Sequence, residues 1–567
     1  MIEDVYEPLA RYRDEFREKF SRLTQDKFKE LTERSGVDVE ANRRQVRLVR
    51  TLEAGLKSAR WRRTLYGVLM TLGYLAAIAL VFLAAKGAAD VRFGFAAGAV
   101  AGLGLGVWMT FLFGSAGKVV VRLELDFKQA KGRAWEQLQA LNRLYSWDIP
   151  VKLIEATVPR LAFDPFFTAR RLNDLKRIYG LEDAFNADKS VIFAQSGVIN
   201  GNPFLFGEYL EMEWGSETYT GTLDIEWKET ERDAEGKART VTRYETLTAT
   251  VEKPIPRYSK RKVLIYGNDA APNLSFSRRP SGLAGAGEGF FASVRKRWRL
   301  SRLKAYARDL DDSSQFTLMS NHEFETLFHA KDRDHEVEFR LLFTALAQTQ
   351  MLSLLKDKAV GYGDDFEFCK RRKLNYLVSR HLNENPIDTA PERFRDWDYD
   401  AAARNFQRFN EEYFRSVYFA LAPVLAIPLY QQTRTHEEIW KGVVEAEESS
   451  FWEHEAIANY YGAGHFAHPD CVTQSILKTR LVARRDAVSK VAVIACGYRG
   501  EARVEHKEVR GGDGKWHSVP VEWVEYLPVE RTTDMYLSEA SGSVRGFDEA
   551  YAASSAAVCR RAIRSFL

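Results

Sequence analysis

The chain has 567 residues, 45% of them hydrophobic and 28% charged, enough for several domains with sizeable cores. Its 82 basic and 78 acidic residues leave a formal charge of +4, which argues against a general nucleic-acid binder and confines such a role to local basic patches. Four scattered cysteines, Cys369, Cys471, Cys496 and Cys559, form no CxxC pair, which speaks against a disulfide scaffold and suits a reducing compartment.

The first twenty residues, MIEDVYEPLARYRDEFREKF, are charged from the third onward and hold no apolar stretch of the signal-peptide kind, so secretion is not expected. Leu9, Tyr12, Phe16, Phe20 and Leu23 step by three and four, the spacing of a helix. SGVD at 35–38 breaks that pattern, and Val46, Val49, Leu52 and Leu56 resume it. Residues 1–64 thus read as a helical, cytoplasmic N-terminal region.

Two uncharged runs follow, LYGVLMTLGYLAAIALVFLAA at 65–85 and FGFAAGAVAGLGLGVWMTFLFGSA at 93–116. Each reaches the ~20 residues that a helix needs to cross about 30 Å of hydrocarbon. The seven residues between them allow only a tight turn. Residues 65–116 are therefore expected to form a transmembrane helical hairpin. Lys57, Arg60, Arg62 and Arg63 precede it, and Lys118 and Arg122 follow it, which by the positive-inside rule places both chain ends in the cytoplasm. Gly94, Gly98, Gly102 and Gly106 recur every fourth residue and mark a close-packing face, for the first span or for a second copy in a homo-oligomer.

Beyond the hairpin, Trp135, Leu138, Leu141 and Leu144 keep helical spacing until Pro150, where the helix is expected to end. Residues 117–186 read as a helical stalk and connector, including a helix in TARRLNDLKRIYGLEDAF. Alternating segments then predict strands: SVIFAQSGVI, YLEMEW, TYTGTLDIEW, RYETLTATVE and KVLIYG, with a hairpin turn at 231–239. Residues 187–275 read as an antiparallel β-rich domain.

A Gly-rich linker, RRPSGLAGAGEGFF, opens the segment 276–312. It lacks the GK[ST] of a P-loop, so a connector is expected rather than a phosphate cradle. After it, Arg295, Lys296, Arg297, Trp298, Arg299, Arg302 and Lys304 fall in a stretch without an acidic residue. With Phe290, Phe291, Val294, Trp298 and Leu303 on an apolar side, this reads as a basic amphipathic helix for anionic inner-leaflet lipids. Nucleic-acid phosphates are the less favoured partner, and a plain solvated helix is the bland alternative. Residues 313–382 read as α+β. In them SNHE at 320–323 forms a capping box on Ser320, EVEFRLLF is a strand, and FEFCKRRKLNYLV is a hairpin.

Residues 383–567 read as mixed helical with a late β-hairpin. The uncharged run 417–430, VYFALAPVLAIPLY, is short for a span and contains Pro423 and Pro428, so a buried core segment is expected ahead of a re-entrant piece or a third crossing. His465, His468 and Cys471 carry zinc-ligand chemistry at short spacing, with Glu453, His454 and Glu455 upstream. HAKDRDHE offers a second cluster in His329, Asp332, Asp334, His335 and Glu336. Neither matches a recognised catalytic pattern, and HExxH, GxSxG and kinase signatures are absent. IEWKETERDAEGKARTVTRYE faintly echoes VEHKEVRGGDGKWHSVPVEW, as hairpins often do.

The early double span, FNADKSVIFAQSGVINGNPF with TYTGTLDIEW, EVEFRLLFTALAQTQMLSLLKDK, YFRSVYFALAPVLAIPLYQQ and EHEAIANYYGAGHFAHPDCVTQSILKT together resemble an uncharacterised bacterial membrane-protein family, a domain of unknown function with mycoplasma members. The resemblance covers most of the chain and is one of layout. It implies a location in the bacterial inner membrane and, from gene neighbourhood, a LemA-type membrane protein as partner. The family has no established activity, so no catalytic residue is carried over. The chain thus reads as α+β: a transmembrane hairpin with a helical stalk, then a cytoplasmic antiparallel β-rich domain and a mixed body. The expected function is a membrane-anchored scaffold or interaction protein without catalytic residues or cofactor. The alternative is a tethered zinc-dependent hydrolase using His465, His468 and Cys471.

Overall fold

The computed structural model describes residues 6–86, 89–232, 238–284, 290–308, 316–433, 448–485, 488–539, 558–561 and 563–566. The chain divides into two compact units, one of residues 1–21, 147–389 and 411–567, the other of residues 22–146 and 390–410.

The second unit is built from helices. The helix Arg17–Ser35 ends where Gly36 takes a left-handed φ of 63°, and the Asp38 carboxylate accepts the Ala41 N–H at 2.9 Å to start the next. That next helix, Val39–Lys86, pairs antiparallel with Ala89–Asn142. At the polar end Val46, Val49, Leu56, Leu138 and Leu141 are buried, as their spacing predicts; Trp135 of the same spacing is exposed, and its neighbour Ala134 is buried instead. Asn42 knits this end together: its amide donates to Ala134 O and Trp397 O, and its carbonyl accepts from Tyr399 N.

Farther along, each helix has a stretch long and apolar enough to cross a membrane, of which only 11% and 17% is buried. The glycines explain the pairing there. A Cβ on Gly102 would meet Gly73 O at 3.2 Å and Ala77, one on Gly98 would meet Leu80 at 3.2 Å, and one on Gly106 would press on the Tyr74 ring at 2.9 Å. Gly94 has open space beside it. Three of the four glycines on the stripe therefore face the other helix of the same chain.

The first unit holds two antiparallel sheets among its described residues. One has the order β1-β2-β3-β4-β7-β6-β5, with β1 Leu161–Phe163, β2 Lys189–Ile199, β3 Asn202–Arg232, β4 Ala238–Gly267, β5 Ser275–Arg278, β6 Phe366–Arg371 and β7 Leu374–Ser379. The other has the order β11-β12-β10-β9-β8, with β8 Ile476–Arg485, β9 Val488–Arg510, β10 Trp516–Glu539, β11 Val558–Arg560 and β12 Ile563–Phe566. The first sheet thus draws strands from both sides of residues 187–275. Segments that read as separate strands run together: YLEMEW and TYTGTLDIEW both lie in β3, which is 31 residues long.

Beyond their neighbours in the sheets, β3–β4 and β9–β10 continue as two-stranded ribbons. The ribbons pack on each other through Leu247, Ala249, Val251, Val519 and Val521. Gly221 stands at the crossing, where a Cβ would collide with Pro520 O. Lys253 pairs with Glu505 at 2.5 Å, and the Glu245 carboxylate accepts the Gly512 N–H at 2.6 Å. The two echoing hairpin segments of the sequence are therefore physical partners.

Three local expectations are corrected and a fourth is met. The stalk helix ends at Asn142, and Pro150 sits in the first turn of a new helix, Ile149–Thr157, where its missing N–H is harmless. EVEFRLLF is mostly helix, Glu336–Leu342, because the His335 ring accepts the Glu338 N–H and caps it. The cap before His322–Phe328 is Asn321, not Ser320, and it accepts from Phe324 N at 3.1 Å. The uncharged run 417–430 is core: it continues the helix Tyr399–Leu425 through Pro423, and Val417, Tyr418, Ala420 and Ala422 are buried. Tyr12, Phe16 and Phe20 pack on Phe414, Tyr418 and Phe419, Phe20 stacking on Phe414 at 4.2 Å.

Candidate functional site

The segment FWEHEA opens the helix Phe451–Tyr461, capped by the Ser450 hydroxyl, which accepts from Glu453 N. Glu453, His454 and Glu455 are all buried, which charged groups tolerate only when paired. Glu453 is paired by Arg560, by Arg561 at 3.6 Å and by the Phe167 N–H at 3.2 Å. Glu455 accepts from Lys478 at 2.9 Å, from the Asn186 amide and from Val191 N at 3.1 Å. Burial raises its pKa, and those donors oppose the rise. The His454 ring faces the Ser449 hydroxyl at 2.9 Å, and burial lowers its pKa to about 4, so the ring is neutral at ordinary pH. Among the described residues, three guanidinium nitrogens of Arg560 and Arg561 are buried without a hydrogen-bond partner. The arrangement is a closed electrostatic knot tying the helix Phe451–Tyr461 to β2 and to the β11–β12 hairpin. Chain segments far apart in sequence supply its members, so local spacing could not reveal it.

The proposed zinc residues stand otherwise. His465 lies in the short helix Ala463–Phe466, its ring edge-on to Tyr461 at 5.2 Å. His468 Nδ1 accepts the Asp470 N–H at 3.2 Å. The Cys471 thiol donates to Thr473 O at 3.4 Å and lies 3.6 Å from the Ser475 hydroxyl. Burial raises its pKa, but the hydrogen bonds around it win and hold the thiol below its ordinary range. Among the described residues no group of three His, Cys, Asp or Glu side chains is placed to hold a metal ion.

The second acidic cluster serves as a clasp. Asp332 and Asp334 accept the Ser277 and Ser275 N–H groups at 2.9 and 2.6 Å, and Glu336 pairs with Arg333 at 2.7 Å and Arg340 at 2.9 Å. A cleft of about 200 Å³ lies among Tyr12, Arg17, Phe20, Glu411 and Arg415, below the ~300–1,000 Å³ of usual small-molecule sites.

The basic stretch forms the helix Phe290–Arg308. Arg295, Arg297, Trp298, Arg302 and Lys304 are exposed and Arg299 is half-buried, while the side chain of Lys296 lies outside the described residues. Its apolar residues do not gather on one side: Leu303 is buried, whereas Val294 and Trp298 face solvent. Gly285, Gly287 and Gly289 of the linker lie outside the described residues. Among the described residues, the apolar helical pair and this basic helix both stand open to a partner. Comparison with family models, curated proteins and solved structures finds no match to the chain.

Proposed function

We propose that this protein is a membrane-anchored scaffold or protein-interaction protein, held by a two-helix hairpin in the bacterial inner membrane with both ends and the folded body in the cytoplasm. One observation carries the reading. The apolar stretches of Val39–Lys86 and Ala89–Asn142 leave Leu75, Ile78, Phe82, Phe93, Val100, Trp108 and Phe111 largely exposed. A helix of a soluble core would bury such side chains, since each costs about 1.5–3 kcal/mol when left in water rather than buried. Lipid is the solvent that removes this cost, and the basic residues at 57–63 and 118–122 favour a cytoplasmic location for the flanks. The body supplies interaction surface, and a LemA-type membrane protein or a second copy of the chain is the partner to look for. Membership of the bacterial family that the chain resembles belongs to the same proposal.

The test is fractionation of a detergent-free lysate followed by proteolysis of spheroplasts carrying tags at both ends. The protein should pellet with membranes, and both tags should be protected. Recovery in the supernatant overturns the anchoring, and an accessible C-terminal tag overturns the topology.

A further inference from the structure

The helix Phe290–Arg308 carries seven basic residues and no acidic one. Exposure fixes which way it faces. Leu303 is buried, and Arg299 and Leu300 are half-buried, so that side meets the body. At ~3.6 residues per turn the opposite side is a ridge of Val294, Trp298, Ser301 and Ala305. All four are exposed, Trp298 by 59%. Arg297 and Lys304 flank the ridge on one side, Arg295 and Arg302 on the other, and all four are exposed. The Arg302 guanidinium lies 4.1 Å over the Trp298 ring, which holds the indole along the ridge. Lys331 adds a further cation 5.6 Å from Tyr306.

A solvated surface helix would mix charge signs and hide its tryptophan. An indole between two rows of cations is instead the pattern of a helix lying at a lipid interface, the ring at headgroup depth and the basic side chains reaching to phosphates. We propose that this face docks on anionic phospholipid headgroups, so that the body grips the surface of the bilayer to which the hairpin tethers it. The proposal rests on the anchoring reading, because the tether supplies the effective concentration that lets a short helix dock. Charge selects the lipid, and the ridge of Val294 and Trp298 gives the insertion. Each Lys or Arg near an anionic surface contributes about 1 kcal/mol, so neutralising one lowers the docked-to-free ratio about fivefold.

The full-length protein in nanodiscs tests this by hydrogen–deuterium exchange of the peptides spanning 290–308. Slower exchange in discs containing phosphatidylglycerol than in pure phosphatidylcholine discs, reversed by salt, is the expected result. Arg297→Gln with Lys304→Gln should weaken the docking about 25-fold, the product of two such neutralisations, without touching buried residues. Trp298→Ala should weaken it in both low and high salt. Equal exchange in the two disc types overturns the proposal. So does protection in neutral discs by an added oligonucleotide, which would mark a nucleic-acid site. A chain that stays soluble without detergent refutes the anchoring instead, and co-sedimentation with vesicles of the same two compositions then decides whether the helix selects anionic lipid.

Discussion

Leu75 and Ala422 both sit in uncharged apolar stretches, yet Leu75 is 61% exposed and Ala422 is fully buried. The first belongs to a helix that shields little of its apolar stretch within the chain. The second belongs to a helix walled by aromatic rings from the N-terminal segment, Tyr12, Phe16 and Phe20 among them. Apolar composition says that a segment leaves water. What it leaves water for depends on whether the rest of the chain supplies a cover. The run 417–430 finds one, whereas among the described residues the apolar stretches at 65–85 and 93–116 stay largely bare along the pair they form.

A charge placed in each stretch breaks the contrast most sharply. Ala422→Asp leaves an unpaired carboxylate in the core at a cost on the order of 5 kcal/mol, comparable to the whole stability of a domain. Limited proteolysis should show the body unfolded. Leu75→Asp should spare the body and cost roughly 3 kcal/mol at insertion, read as loss from the membrane pellet. Equal damage to the body from both would erase the distinction.

The buried interior also tolerates charge where it is paired, which Glu453→Gln probes. Arg560 and Arg561 would lose their shared carboxylate, a loss of about 3–5 kcal/mol that thermal unfolding in detergent would register. An unchanged midpoint would mean that these arginines are solvated.

His454 sharpens the same point through pH. Its folded pKa is about 4 against an ordinary 6.5, because burial disfavours the cation. Below pH 6.5 the unfolded chain takes up a proton that the folded chain refuses, so stability falls as pH drops from 6.5 to 4, by up to about 3 kcal/mol. His454→Gln should flatten that part of the acid slope in urea titrations at pH 7 and 4.5. An identical slope would show that the ring is already accessible.

The smallest effect is expected within the helical pair. Gly102→Leu would press on Gly73 and Ala77 and should cost about 1–3 kcal/mol in detergent melts. Gly94→Leu, with open space beside it, should cost nothing measurable. A reversed ranking would place the packing face elsewhere.

What could be read from the sequence was local and periodic. Val46, Val49 and Leu56 gave the helical face, the uncharged runs gave the long helices, and FEFCKRRKLNYLV gave its hairpin. Fold class at the level of helix plus antiparallel sheet follows from such signals. EVEFRLLF misled because its first residues alternate like a strand, and a single histidine cap decides otherwise. Asn200-Gly201, with φ of 51° and 78°, is a legible turn signal that fixes the β2–β3 hairpin. The length of β3 was hidden because GSE at 215–217 looks like a break to a short window, while its register, from Phe204 opposite Tyr266 to Arg232 opposite Ala238, depends on β4. The knot around Glu453 needs Arg560, 107 residues away, and Glu455 needs Asn186, 269 residues away. One sequence carries no mark of such pairings.

The crossed ribbons carry a consequence for biosynthesis. Leu247, Ala249 and Val251 are translated well before Val519 and Val521, which cover them. At about 5–20 residues per second, the intervening stretch of roughly 270 residues occupies the ribosome for some ten seconds to a minute. Throughout that interval the first ribbon presents a bare apolar face. Nascent chains stalled inside this window should therefore recruit chaperones that chains released after residue 539 no longer need.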